Sequence, residues 1–281
     1  MTHERENDMG ELRTGTDHLI GHIDGDVAVL SFNRPDRRNA LSEEIYLGFA
    51  TALEQVRDDA DIRVLMVTGE GGAFCAGGDV KGFVADHADA GPRRSTEEAI
   101  THLTTIQKGV SLAFRSLPKP VVAALPGAAA GAGLSIALAA DIRLAARSAV
   151  LVTAFSTIGA SGDFGTSWFL PRLVGEAKAK ELMWMSPRLD ATDAERLGIV
   201  NHVYDDATFA DDAMAFCRAL AARAPIAMRY IKENIQRGDD VPLAEALEGE
   251  AAAMVRTMAT RDHREASLAF VEKRPPTFSG Q

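Results

Sequence analysis

With 281 residues, 46% of them hydrophobic, the chain can bury one sizeable core, as a single large domain or a domain with an appendage. A net charge of −10 excludes broad binding to nucleic acid or an anionic membrane, which needs clustered positive charge, although a phosphorylated ligand asks only for a local basic patch. No apolar run approaches the ~20 residues of a membrane span, and two cysteines, Cys75 and Cys217, among seven scattered histidines form neither a disulfide framework nor a metal-ligand spacing. A reducing, cytoplasmic setting with no metal site is expected.

Residues 1–17 are too acidic and polar for a secretory or transit segment and read as a disordered tail. His18 to Asn33 then alternates apolar and polar residues around Asp24-Gly25-Asp26, which predicts a β-hairpin. Ser42-Glu43-Glu44 starts a helix with acids in its first turn, and Ile45, Phe49, Leu53 and Val56 follow at helical spacing. Ile62 to Thr68 is the next strand. Val84 to Arg94, with Gly91-Pro92 among charges, reads as a surface loop, and Thr96 to Leu117 as a helix. Val121 to Leu125, a helix from Ala132, and short strands at 142–144 and 150–152 complete another unit of two strands and a helix. Recurring units of this kind suggest stacked repeats forming a spiral. After about Asp205 the strands stop. Phe209 to Arg223 is helical, Pro225 opens a helix as its first residue, Gly238 closes it as a C′ glycine, and two more helices run to Arg274. Pro275 to Gln281 reads as a frayed tail.

Two stretches have the build of a catalytic backbone site. Val121 to Leu125 feeds Pro126-Gly127 and then Gly131-Ala132-Gly133 at a helix start, where unpaired N–H groups and the positive end of the helix dipole suit an oxygen that gains negative charge. Ala73-Phe74-Cys75-Ala76-Gly77-Gly78-Asp79 follows a second strand in the same way. One N–H from each could form an oxyanion hole. Arg34, Arg37, Arg38 and Lys81 flank the first motifs, and Lys273 and Arg274 close the last helix, so a local basic patch is available. Gly133-Leu134-Ser135 imitates a nucleophile elbow, with His202 or His263 downstream, but Ser135 lies about a turn into the helix where an elbow needs it at the turn.

These motifs, with Asn33-Arg34-Pro35, Asn39-Ala40-Leu41, Pro126 to Asp141 and Leu197-Gly198-Ile199-Val200, resemble the crotonase (enoyl-CoA hydratase/isomerase) superfamily from about His18 to Phe270-Val271-Glu272-Lys273-Arg274. The resemblance implies an α/β fold, a spiral of ββα units over 18–205, and a helical C-terminal trimerisation region over 206–281, assembled as a homotrimer or dimer of trimers. It implies an acyl-CoA thioester substrate, with coenzyme A as part of that substrate and no separate cofactor. Gly78 and Ala132 match the two oxyanion donors. Arg34, Arg37, Arg38, Ala76 and Lys81 match coenzyme A contacts, while Phe270 and Lys273 match positions that reach a neighbouring subunit's coenzyme A.

Hydratases of the family use two glutamates, and the matching positions here hold Ser135 and Phe155. One carboxylate survives nearby, Asp163, placed as in the family's 1,2-epoxyphenylacetyl-CoA isomerases. The dehalogenase branch also has an aspartate there, but its water-activating histidine has no counterpart. A single carboxylate suits a proton shuttle, and apolar neighbours such as Phe155, Phe164 and Trp168 would raise its pKa; an N-cap role for Asp163 is the plain alternative. The expected activity is therefore isomerisation through an enolate, as a double-bond shift or ring-epoxide rearrangement. An enoyl-CoA hydratase and a non-catalytic acyl-CoA binder are the alternatives.

Overall fold

In the computed structural model, which describes residues 9–79 and 94–281, the chain enters its sheet earlier than the sequence signals. β1 (Met9–Glu11) pairs antiparallel with β2 (Leu19–Asp24), and Leu12 is buried just beyond it. The expected tail is thus corrected: residues 9–11 are sheet, held by backbone pairing where no apolar alternation announces it. Residues 1–8 lie outside the described ones. β2 and β3 (Val27–Phe32) form the expected hairpin, with Gly25 at φ 58° in its turn. Every residue of β3 is buried, which fits a strand covered on both faces.

From β3 onward the chain winds. α1 (Glu43–Asp58) crosses back to β4 (Val64–Gly69), which pairs parallel with β3 and leads to the short β5 (Ala73–Cys75). α2 (Thr96–Gln107) is capped by a reciprocal Ser95–Glu98 box and continues through a π turn (Lys108–Leu112) and a last turn (Ala113–Ser116), where the sequence predicts one uninterrupted helix. β6 (Val121–Leu125), β7 (Ala128–Ala130) and α3 (Ala132–Ala139) form the next unit, and β8 (Ile142–Ala146), β9 (Val150–Val152) and α4 (Thr166–Val174) the one after. α5 (Glu176–Met185), β10 (Leu189–Asp190), α6 (Ala191–Arg196) and β11 (His202–Tyr204) close the spiral. The first strands of successive units make a seven-stranded sheet ordered β1-β2-β3-β4-β6-β8-β11, and the second strands a smaller one ordered β10-β9-β7-β5. β4, β6 and β8 each hand the chain to a strand of the small sheet before the next helix.

Alternate residues of the large sheet serve two cores. Ala28, Leu30, Phe32, Leu65 and Val67 face the spiral interior with α1 and α3. Val27, Val29, Val64, Met66, Val122 and Leu144 face outward, and α7 (Phe209–Ala221) covers them with Phe209, Ala213 and Cys217. α8 (Pro225–Gly238) begins at its proline as expected, but Gly238 is its last helical residue and Asp239 follows at φ −72°, so no left-handed C′ glycine ends it. Lys232 of α8 ties this region to the spiral: its ammonium donates to Asp141 Oδ2 at 2.8 Å and to the carbonyls of Phe114 and Lys119.

The final segments are α9 (Leu243–Met258) and α10 (Arg261–Glu272). Beyond them the sequence suggests fraying, and the structure corrects this as well. The buried Asp262 carboxylate accepts the N–H groups of Ser279 and Gly280, Gln281 O accepts those of Arg261 and Asp262, and Arg63 donates to Phe278 O. Backbone-to-carboxylate bonds dock the segment without apolar periodicity. Among the described residues no helix is long and apolar enough to cross a membrane.

Candidate active site

The two glycine-rich stretches meet backbone to backbone. Gly131 takes φ 51° and ψ −126°, a conformation that leaves Ala132 free to start α3 with an ordinary helical backbone. Ala132 thereby offers its N–H at the first helical position, where no intrahelical carbonyl can reach it, and an alanine serves as well as glycine there. On the other stretch, Leu41 N donates to Gly77 O at 2.8 Å in a parallel bridge between Leu41 and Gly78. That pairing leaves the Gly78 N–H directed away from Leu41, since alternate peptide groups of a strand point to opposite sides. The approach is close: a Cβ on Gly77 would lie 3.3 Å from Ala132 N, and one on Gly133 only 2.3 Å from Cys75 O. Both donors predicted from sequence thus come from loops packed against each other.

Asp163 lies in the loop before α4, between Gly162 at φ 127° and Phe164 at φ 45°. A buried phenylalanine held left-handed is strained backbone of the kind that surrounding packing must impose. The carboxylate is not the cap of α4, whose N-cap is Gly165. Its Oδ1 instead accepts from Gln107 Nε2 at 2.6 Å and from Phe164 N at 2.8 Å. Burial pushes its pKa above the ordinary carboxylate value, and those two donors oppose the rise without cancelling it.

Gln107 and Tyr46 are the residues that sequence reading misses, because only the fold brings α1 and α2 to this loop. The Tyr46 ring stacks on Phe164 with centroids 5.8 Å apart, and burial, then the neighbouring Asp163 and Cys75, hold its phenol strongly protonated. Cys75 itself is fully buried with its thiol pushed up to about 12, so it is a packing residue. His102 sits 2.8 Å from Glu43 of α1. Of the apolar neighbours expected for Asp163, Phe164 is in place. Trp168 turns elsewhere: the guanidinium groups of Arg172 and Arg115 lie 3.7 Å and 4.3 Å from its ring centre. It lines a cavity of about 420 Å³ with Lys232 and Asp239, and Phe155 lines a different one with Met183 and Trp184.

Ser135, at the position where the resemblance implies a glutamate, is wholly buried. Its hydroxyl donates to Gly131 O at 3.0 Å and bonds Thr166 Oγ1, so it is no exposed nucleophile. Among the basic candidates, Arg34 is largely occupied inside the chain, donating to Ala40 O at 2.6 Å and pairing with Asp79 at 3.5 Å. Arg37 and Arg38 are exposed on the short 3₁₀ turn Pro35–Arg37 and its cap, and Arg38 O accepts the Ala76 N–H at 3.0 Å. The wholly buried Asn39 fixes that turn by accepting from Arg34 N and donating to Glu70 O and Ala73 O. Phe270 and Lys273 end α10 in exposed positions. Lys81 and most of the loop expected from Val84 to Arg94 lie outside the described residues.

Residues 22–281 match the family model described as enoyl-CoA hydratase/isomerase. The chain is 35% identical over 263 residues to a 1,2-epoxyphenylacetyl-CoA isomerase of Escherichia coli K12, covering 94% of this chain and 98% of that protein. It is 32% identical over 289 residues to a mitochondrial methylglutaconyl-CoA hydratase of Rattus norvegicus, covering all of this chain and 89% of the relative. A crystal structure of an enoyl-CoA hydratase from Polaromonas sp. JS666 superposes with a TM-score of 0.86 at 36% identity, over 93% of this chain and 99% of that one.

Proposed function

Because the chain belongs to the enoyl-CoA hydratase/isomerase family, we propose that it is an acyl-CoA isomerase that works through an enolate, with Asp163 as its proton carrier. The thioester carbonyl oxygen would sit at the N–H groups of Gly78 and Ala132, which stabilise negative charge as a proton leaves the acyl chain. Asp163 would take that proton from one carbon and return it at another, or donate it to an opening epoxide oxygen. The observation that carries this reading is the pair of positions Ser135 and Phe155. The first hydroxyl is tied into backbone and Thr166, the second side chain is a buried ring, and neither can activate water. One half-buried carboxylate with a raised pKa remains, on the loop braced by Gln107 and Phe164. The likeness to a 1,2-epoxyphenylacetyl-CoA isomerase points the same way, whereas the likeness to a methylglutaconyl-CoA hydratase keeps hydration as the second reading.

Arg37 and Arg38, exposed on their turn, would meet the coenzyme A phosphates, with Arg34 shaping the turn that presents them. Assembly into a homotrimer or dimer of trimers would cover Phe270 and Val271, which are 85% and 77% exposed, and bring Phe270 and Lys273 to a neighbour's coenzyme A. The test is proton NMR of trans-3-hexenoyl-CoA incubated with the protein in D₂O. Migration to the 2-enoyl product with deuterium uptake, abolished in Asp163→Asn while binding persists, is the expected result. Accumulation of a 3-hydroxyacyl product would establish the hydratase instead, and undiminished turnover by Asp163→Asn would remove Asp163 from the mechanism.

A further inference from the structure

We propose that Gln107 is the positioning residue for Asp163: it holds Oδ1 so that Oδ2 is the oxygen that receives and returns the proton. The inference rests on the proposed role of Asp163 and goes beyond it by assigning the two oxygens different tasks. Oδ1 accepts from Gln107 Nε2 at 2.6 Å and from Phe164 N at 2.8 Å, and among the described residues none donates to Oδ2. An oxygen that already accepts two hydrogen bonds is the less basic of the pair, so a proton arriving at the carboxylate goes to Oδ2. The two donors also stop the group from turning about its last torsion, which in an aspartate is broad and nearly two-fold.

Both donors are themselves fixed. Phe164 is held with its backbone left-handed at φ 45°, and its carbonyl oxygen accepts from the buried Ser111 hydroxyl at 2.8 Å. Gln107 and Ser111 stand at the start of the π turn Lys108–Leu112 and within it, a wide turn of the kind that recurs at functional sites. One stretch of α2 thus grips two consecutive residues of the loop, one through a side-chain amide and one through a hydroxyl. Gln107 is half-buried, so its amide is held in place without being sealed from the site.

The experiment uses protein labelled with ¹³C at the aspartate carboxyls, with the Asp163 signal assigned by its loss in Asp163→Asn. Gln107→Leu and the isosteric Gln107→Glu both remove the donor, so one carries the test if the other fails to fold. Losing a hydrogen bond to the charged form raises the carboxyl midpoint, by about one pH unit in Gln107→Leu. The Glu variant rises further and titrates in coupled steps with Asp163. Deuterium exchange into trans-3-hexenoyl-CoA is expected to fall about 10- to 100-fold in kcat in both variants. KM is expected to stay nearly unchanged and the acidic limb of the rate profile to move with the carboxyl midpoint. An unmoved Asp163 titration overturns the inference, as does a moved titration with undiminished kcat. If Asp163→Asn is inactive while Gln107→Leu is as fast as the parent protein, the positioning role alone fails. If Asp163→Asn turns over normally, the reading beneath it fails and takes the positioning role with it.

Discussion

Backbone donors cannot be deleted by substitution, but Gly133→Ala can move them. In α3 the new methyl would sit 2.3 Å from Cys75 O and 2.7 Å from Cys75 Cβ, both buried and neither the end of a flexible side chain. Ordinary contact begins at 3.4 Å, so the start of α3 and the Cys75 stretch must part by roughly 1 Å. Two effects oppose each other in stability. Replacing glycine by alanine in a helix gains up to ~1 kcal/mol, whereas overpacking a closed core costs about 1–3 kcal/mol. The second wins, and a net loss of up to about 2 kcal/mol is expected in urea unfolding. The larger consequence is catalytic, because the same separation pulls the Ala132 N–H away from the Gly78 N–H. A displacement near 1 Å costs on the order of 10²-fold in kcat, read as deuterium exchange into trans-3-hexenoyl-CoA. Gly238→Ala is the control: a Cβ there meets open space at the exposed end of α8, so the variant should match or exceed the parent protein in stability with full turnover. A Gly133→Ala protein that unfolds at higher urea than the parent and turns over fully would refute both the packing argument and the donor assignment.

Burial raises the Asp163 pKa in the folded protein. Such a group contributes stability that is fully present below its unfolded pKa and is lost as pH rises through the folded value. Asp163→Asn should therefore raise Tm at pH 7 to 8 and lose that advantage near pH 4, in scanning calorimetry across pH; a Tm advantage that grows as pH falls would contradict the sign. Lys232→Ala removes the cation that donates to Asp141 Oδ2 and to two carbonyls, leaving a half-buried carboxylate with Val121 N as its remaining donor. It should cost about 3–5 kcal/mol in urea unfolding, and pairing Lys232→Met with Asp141→Asn should recover much of that. Asp262→Ala takes away the acceptor of the Ser279 and Gly280 N–H groups, so amide exchange should accelerate across residues 276–281 while the spiral stays protected.

What the sequence made legible follows the reach of each signal. The β2–β3 hairpin, α1 and the β6–α3 junction are local: alternation, an Asp-Gly turn and apolar spacing each act within about a dozen residues, and all three elements form where expected. β1 was hidden because its three residues pair through backbone alone, and the docking of 276–281 because it depends on one carboxylate. Gly238 misled because glycine is only permitted, not obliged, to turn left-handed. At the site, the close packing of the Gly77-Gly78 stretch against Gly131 to Gly133 was readable because backbones approach only through small residues. Gln107 and Tyr46 were not, since they lie 56 and 117 positions before Asp163 and nothing in their own surroundings marks them. Arg34 shows the converse limit: its type suited a phosphate, but Ala40 O and Asp79 take up much of its guanidinium.

Ser135 has a structural role of its own. Its buried hydroxyl accepts from Thr166 Oγ1, and Thr166 in turn donates through its N–H to Asp163 O at 3.0 Å. The helix position at which the resemblance implies a glutamate thus supports the loop that carries Asp163. A glutamate there could not be housed without breaking that support, because Ser135 is wholly enclosed and a longer, charged side chain would have to displace Thr166. On the proposed function, Ser135→Glu alone should therefore fail to introduce hydration and should loosen Asp163 as well, read as no 3-hydroxyacyl product by NMR and a shifted Asp163 carboxyl titration.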